Sequence, residues 1–278
     1  MVEKIKSDIN LDKEKYLLDQ KISQQKLSLT SEDIKHFKES LPNKKYYEFM
    51  YYSFFHGKSD NLAEFWKNWK PWDIWEYPIY DLNRFNIIIT KNANLIRNKK
   101  ILDVGCNIGY LSLFCLNLDC KNVTGIDVRS NKLQIADFVC GKAGFTNYEF
   151  KKLDIIQDAL LGVTEKIDTI LFSGLIYHIS NHYEILAKLS KSTATSMIIE
   201  NYDSEYYNDP TPQIYWLFED VEDPMNAYST KHKSLLVGRP NQAWINTVMT
   251  ELGWKLKKVE YLKMHTKTHP RCCSVFER

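Results

Sequence analysis

The chain has 278 residues, 44% of them hydrophobic, and its 37 Lys and Arg against 35 Asp and Glu leave a net charge of +2. That length accommodates one catalytic domain with an appended segment, and the near-even charge neither demands nor excludes a nucleic-acid partner, although a purely electrostatic DNA binder is usually more basic. Residues 1–20 lack the uncharged apolar stretch of a secretory signal, and no apolar run approaches the roughly 18 residues of a membrane span, so the expectation is a cytoplasmic protein without a membrane partner.

Residues 1–60 read as a helical N-terminal extension: Leu11, Tyr16, Leu17, Ile22 and Leu27 are spaced thinly among polar residues, and Thr30-Ser31-Glu32-Asp33 fits a capping box for a short helix broken at Pro42-Asn43. Residues 61–98 form an aromatic cover segment in which Trp66, Trp69, Trp72 and Trp75 recur every third position around Pro71. Two readings stand: a packed edge of the core, or a lid whose Trp69 and Trp72 wall a substrate pocket.

From residue 99 to 278 the pattern changes to alternating strands and helices. The apolar runs Ile101–Val104, Asn122–Val128, Tyr148–Leu153, Ile167–Phe172 and Ser196–Glu200 read as strands, and 110–118, Ser130–Ala143 and His182–Ser190 as helices. The segment 201–239, with Pro210, Pro212 and Pro224, reads as an irregular insertion too long for an ordinary connection. Asn241–Leu252 is then a helix stopped at Gly253, and Lys255–Tyr261 and Cys272–Phe276 are the last strands. This order predicts an α/β fold: a doubly wound, mostly parallel, seven-stranded sheet with helices on both faces, behind the N-terminal extension. Cys106, Cys115, Cys120, Cys140, Cys272 and Cys273 form no C-x-x-C pair, so they are read as reduced thiols and no metal site is expected. The basic clusters at Lys99-Lys100, Lys231–Lys233 and Lys255–Lys258 are read as solvated faces.

The residues that carry chemistry begin at Asp103-Val104-Gly105-Cys106-Asn107-Ile108-Gly109, a strand ending in a glycine turn before a helix. Small residues there let the backbone approach a ligand, and the helix start offers free N–H groups. A side chain at Gly105 is expected to occupy ligand space. Asp127, at the end of the next strand, stands where a ribose would be held in a doubly wound fold.

"ILDVGCNIG" resembles the D-x-G-x-G-x-G motif of class I, Rossmann-like, S-adenosylmethionine-dependent methyltransferases, with Asn107 replacing the middle glycine; Asn tolerates a left-handed backbone well. "GIDVRSNKL", "FKKLDI" and "DTILFSGLIYHI" resemble the second, third and fourth motifs of that class, so the resemblance covers roughly residues 95–200. It implies S-adenosylmethionine as cofactor, with Asp103, Gly105, Cys106, Asn107, Gly109 and Tyr110 from the first motif, Asp127 and Val128 from the second, Asp154 and Ile155 from the third, and Ser173 and Gly174 from the fourth around it. Read without the resemblance, Asp103 and Asp127 are equally strand-end or helix caps, and Asp154 a surface turn residue.

The fourth motif lacks the Asp/Asn-Pro-Pro-Tyr/Phe of enzymes that methylate nucleobase amines, and no cysteine stands in the context of a cytosine-C5 nucleophile. "GLIYHI", together with "ILDVGC-x-x-GY" and "FWKNWKPWDIW", is similar to segments of the bacterial tRNA wobble-uridine carboxymethyltransferases, and His269-Pro270-Arg271 is similar to their C-terminal strand. That resemblance implies Tyr177 and Arg271 at the methionine end of a carboxy-S-adenosyl-L-methionine, the alternative cofactor, and a tRNA as the alternative partner. The principal reading is methyl transfer to a small-molecule acceptor; a non-catalytic module that keeps the fold is a third. His178 is a candidate general base beside Tyr177, or a structural histidine. Tyr215, Trp216 and Phe218 either cover the acceptor or belong to the core. The two aromatic segments are expected to meet above the cofactor around Tyr177, His178 and Arg271.

Overall fold

A computed structural model of the chain describes residues 84, 87–160, 162–202, 210–220, 234–262 and 271–278. The expected N-terminal extension over 1–60, Trp69 and Trp72 lie outside these residues, as does the basic cluster at 231–233.

The sheet grows from five parallel strands: β1 (Lys100–Val104), β2 (Asn122–Asp127), β3 (Tyr148–Lys152), β4 (Thr169–Ser173) and β5 (Ser196–Tyr202). The last strand, β9 (Arg271–Glu277), runs antiparallel to β5, and β8 (Lys255–Leu262) pairs antiparallel outside it. The order is β3-β2-β1-β4-β5-β9-β8, the seven strands anticipated. Alternation along the central strands divides the side chains between two cores: Ile101, Leu171 and Ile198 face one side, while Leu102, Val104, Ile170, Phe172, Met197 and Ile199 face the other. The first side is covered by α1 (Tyr110–Asn117) and α2 (Ser130–Lys142), through Leu113, Leu116, Ile135 and Cys140, together with a 3-10 turn at Thr90–Leu95. The second is covered by α3 (His182–Ser190) and α4 (Gln242–Glu251), through Ile185, Leu186, Leu189, Ile245 and Met249. Strands buried on both faces read as continuous apolar runs, which is why they are legible in the sequence.

The insertion differs from expectation. Instead of irregular chain it holds a two-stranded antiparallel ribbon, β6 (Ile214–Asp220) and β7 (Ser234–Pro240). Pro210 and Pro212 precede β6 and Pro240 ends β7, so none interrupts the ladder between them, and Tyr215, Trp216 and Phe218 are residues that favour strands. Asn241 anchors the base of the ribbon: its side chain caps α4 by accepting from the Trp244 N–H at 2.9 Å, accepts from the Gln213 N–H at 3.1 Å and donates to the Thr211 carbonyl at 2.9 Å. The ribbon stands beside the end of β4, where the Gly238 N–H donates to the Ile179 carbonyl and the His182 ring meets the Gly238 carbonyl at 2.8 Å.

The strand order reverses between β1 and β4. In doubly wound sheets the ligand crevice lies at the carboxyl ends of the strands at that point.

Candidate active site

A cleft of about 420 Å³ opens there, within the range that holds small ligands. Its lining includes Asp103, Gly105, Cys106, Asn107, Tyr110, Asp127, Val128, Asp154, Ile155, Ser173, Gly174, Tyr177, His178 and Arg271. The four sequence motifs, spread from Ile101 to Ile179, thus converge on one cavity because parallel strands place all their C-terminal ends at one edge.

The β1–α1 turn is held by its backbone. Gly105 and Cys106 both donate to the Ile126 carbonyl, at 2.9 and 3.0 Å, and Asn107 donates its N–H to the Asp127 carboxylate at 3.0 Å. Gly105, Asn107 and Gly109 all have left-handed φ (70°, 53° and 78°), so Asn107 occupies the conformation that the motif ordinarily gives to glycine. Gly105 lines the cleft, and a Cβ there would also meet Leu175 Cδ2, on the turn after β4, at 2.8 Å. Gly109 is absent from the lining; a Cβ there would meet Ala136 Cβ at 2.7 Å, so it serves the close approach of the turn to α2. Cys106 lines the cleft, but its burial pushes the thiol well above its usual range, which removes it as a nucleophile.

Two carboxylates sit near the turn. Asp103 is buried, accepts from Ser112 Oγ at 2.6 Å and is pushed up to about 6 by burial, against that hydrogen bond. Asp127 accepts four hydrogen bonds: the Asn107 N–H and Arg129 Nη2 on one oxygen, and the Arg129 N–H and Nε on the other. Arg129, which sequence reasoning passed over, therefore fills the acceptor sites that a ribose would use. Asp154 lines the cleft and closes its own turn by accepting from the Ile156 N–H at 2.8 Å.

At the other end, two guanidiniums meet one carboxylate. Glu200, at the end of β5 and 0% exposed, accepts from Arg84 Nε and Nη2 at 3.0 and 2.8 Å and from Arg271 Nη1 at 2.6 Å. Burial alone would raise the Glu200 carboxyl, but Arg271 and Arg84 outweigh it and hold it down at about 2. Arg271 also donates to the hydroxyls of Tyr177 at 3.0 Å and Tyr202 at 2.5 Å, and lies 3.9 Å over the Tyr202 ring. Burial drives Tyr177 up to about 12, with Arg271 opposing, so its hydroxyl keeps its proton at neutral pH. Among the described residues, the two guanidiniums against the Glu200 carboxylate give this cluster one net positive charge. Arg84 and Glu200 were not singled out in the sequence; the charge that ends the apolar run Met197–Ile199 was the available signal for Glu200.

His178 lines the cleft on the turn after β4, its ring tilted against that of Tyr177 at 4.3 Å between centroids, and its Nδ1 lies 2.6 Å from Glu219 Oε2 on β6. Arg239 Nη2 is 3.6 Å from the other Glu219 oxygen. Tyr215 is not brought to the site: it is 63% exposed on β6 and absent from the lining, as are Trp216 and Phe218, whereas Leu235 of β7 does reach it. The ribbon contributes Leu235 to the lining rather than an aromatic wall. Among the described residues no cluster of His, Cys, Asp or Glu is suited to a metal ion, and no helix is long and apolar enough to cross a membrane.

Comparison with known proteins agrees with this geometry. The profile of the methyltransferase-domain family matches residues 95–260, more than half the chain. A tRNA U34 carboxymethyltransferase of Campylobacter curvus is 30% identical over 183 residues, covering 64% of this chain and 54% of that protein. A ubiquinone biosynthesis O-methyltransferase of Actinobacillus pleuropneumoniae is 32% identical over 112 residues, covering 39% and 47%. The chain thus spans about half the length of these curated relatives. Among solved structures, the magnesium protoporphyrin IX methyltransferase of Synechocystis PCC 6803 with bound SAH superposes with a TM-score of 0.55 at 13% identity, over 84% of this chain and 99% of that one, a likeness of fold.

Proposed function

The chain belongs to the methyltransferase-domain family, with the class I S-adenosylmethionine-dependent fold, and from that premise we propose that it is an enzyme transferring a methyl or substituted methyl group from an S-adenosylmethionine-type donor to an acceptor oxygen. The donor supplies an electrophilic carbon on a sulfonium. Residues of this chain that suit its recognition are the Gly105–Asn107 turn, Asp127 for the ribose, Asp154 and Ile155 for the base, and Asp103 with Ser173-Gly174 towards the methionine end. The fit is supported by the volume of the cleft and by the presence of residues from all four motifs in its lining. The protein's main contribution to rate is alignment of donor and acceptor. His178, facing the cleft, is the group suited to take a proton from an acceptor hydroxyl.

The finer reading is that the group transferred is carboxymethyl. The single observation that carries it is the pair of guanidiniums, Arg84 and Arg271, set against the one carboxylate of Glu200 beside the Tyr177 hydroxyl. A net positive charge with a protonated phenol beside it favours an anionic substituent over a bare methyl group. The 30% identity to a tRNA U34 carboxymethyltransferase supports a tRNA acceptor. Methyl transfer to a small molecule is the second reading, favoured because Glu200 already engages both guanidiniums. Mass spectrometry of nucleosides released from the purified protein by denaturation separates the two. A donor heavier than S-adenosylmethionine by one carboxyl group is the expected result; S-adenosylmethionine or its demethylated product alone would favour the second reading.

A further inference from the structure

We infer that Lys188 is a positioning residue for the base of the donor: reaching from α3, it grips the backbone of the turn Asp154–Gln157 and so fixes the carboxylate that meets the adenine. This rests on the reading of Asp154 and Ile155 as the base end of the cleft, and it adds a residue that belongs to none of the four motifs. Lys188 Nζ donates to the Ile156 carbonyl at 2.7 Å and to the Ile155 carbonyl at 3.3 Å. Both residues line the cleft, as do Asp154 and Gln157. Among the described residues no backbone N–H reaches either carbonyl, so the ammonium is what satisfies them. A hydrogen bond from an ammonium is charge-assisted, and stronger than one from a neutral amide.

The grip reaches Asp154 through one rigid unit. The peptide group joining Ile155 to Ile156 is planar. Lys188 takes its carbonyl, and its N–H donates to Asp154 Oδ1 at 2.8 Å, so the two ends of a single plane are held by the lysine and the carboxylate. The backbone of Asp154 is closed by Asp158, which accepts the Asp154 N–H on Oδ2 and donates its own N–H to the Asp154 carbonyl, both at 2.8 Å. With Oδ1 committed to the turn, Oδ2 is the oxygen that accepts from a 6-amino group; among the described residues nothing else engages it. These bonds close the turn on itself and do not fix its place over the sheet. Its start is tied to β2, where the Leu153 N–H donates to the Asp127 carbonyl at 3.1 Å. Ile155 packs in one core with Ile185, Leu186 and Leu189 of α3, but apolar packing is non-directional and sets depth rather than rotation. The directional link to α3 is Lys188. Its other charged neighbour, Glu184 one helical turn earlier, stands off at 3.8 Å, so the two carbonyls are the closer partners.

The test is isothermal calorimetry on the full-length protein with two probes: S-adenosylhomocysteine, and its purine analogue in which hydrogen replaces the 6-amino group. The unmutated protein is expected to bind the adenosyl probe about tenfold or more tightly, because the analogue leaves the Asp154 acceptor without its donor. In Lys188→Met, which keeps an unbranched stem and loses the ammonium, affinity for S-adenosylhomocysteine should fall by about fivefold to tenfold while that for the analogue stays within about twofold, so the ratio between the probes collapses. Lys188→Arg, which restores cationic donors, should recover most of the ratio. A lysine with only a structural role would weaken both probes alike; that result, or an unchanged ratio in Lys188→Met, overturns the inference while the base assignment stands. Equal affinity of the unmutated protein for the two probes overturns the base assignment of Asp154, and the inference with it. Should Lys188→Met fail to fold by circular dichroism, Lys188→Gln, shorter and uncharged, is read by the same ratio: a ratio kept at the unmutated value counts against Lys188, and a reduced one supports it.

Discussion

Glu200→Gln tests the electrostatics at the methionine end of the cleft. The substitution preserves shape but removes the carboxylate shared by Arg84 and Arg271, both engaged with it at 2.6–3.0 Å. The Glu200 carboxyl is held at about 2 against an ordinary 4.5. That shift, for a side chain 0% exposed, corresponds to about 3 kcal/mol of stability, comparable with the roughly 3–5 kcal/mol lost when one partner of a buried ion pair is removed. The sign follows from a depressed folded-state value: the contribution is fully present above 4.5 and is lost as pH falls from 4.5 towards 2. Urea unfolding should therefore show Glu200→Gln destabilised by about 3 kcal/mol at pH 7, with the difference from the parent protein shrinking below pH 4.5. A loss of less than about 1 kcal/mol at pH 7, or a difference that does not shrink in acid, would refute the idea that Glu200 is held ionised by both guanidiniums.

Three further outcomes follow from the same geometry. Arg129→Gln frees the Asp127 carboxylate from its own side-chain fork, and S-adenosylhomocysteine should bind about threefold to tenfold more tightly by calorimetry, a balance of about 1 kcal/mol between hydrogen bonds lost and gained; weaker binding would mean that Arg129 contacts the donor. Asp103 sits at about 6 against an ordinary 3.8, so its folded form binds a proton more readily than the unfolded chain, and it costs stability as pH rises from about 4 through 6; Asp103→Asn should remove about 3 kcal/mol of that slope, and parallel unfolding curves against pH would contradict it. Gly105→Ala combines a left-handed φ of 70° with a 2.8 Å approach to Leu175, and thermal unfolding should register a loss of about 1–3 kcal/mol, whereas an unchanged midpoint would mean that the turn after β4 yields freely at Leu175.

The parts of this molecule legible in its sequence are those where one physical signal dominates. The central strands are buried on both faces, so Ile101–Val104 and Met197–Ile199 stand out as apolar runs, and the turn after β1 announces itself through Gly105, Gly109 and an Asn that can replace a glycine. The ribbon was hidden because its flanking prolines read as breakers, while its strongest positive signal, the strand-favouring Tyr215-Trp216-Leu217-Phe218, also reads as a core or lid segment. Arg84, Glu200, Arg129 and Glu219 were not legible for another reason. Charged residues are read by default as solvent-facing, and only the tertiary arrangement shows that Glu200 binds two arginines 116 and 71 residues away, or that Arg129 folds back on its near neighbour Asp127. His178 stands out in the sequence for its chemistry; its partner Glu219 lies 41 residues on, in a strand whose flanking prolines make it read as irregular chain.

The central claim, that the Gly105 turn and Asp127 form a donor site, is tested most directly by titrating S-adenosylhomocysteine into the full-length protein and its Asp127→Ala variant by isothermal calorimetry. Binding in the micromolar range, on the order of −8 kcal/mol, is expected for the parent protein. Asp127→Ala should weaken it about tenfold or more, since hydrogen bonds from ribose hydroxyls to a carboxylate contribute roughly 1.5–3 kcal/mol. Equal affinity in the two proteins, or no binding to either, would contradict the account.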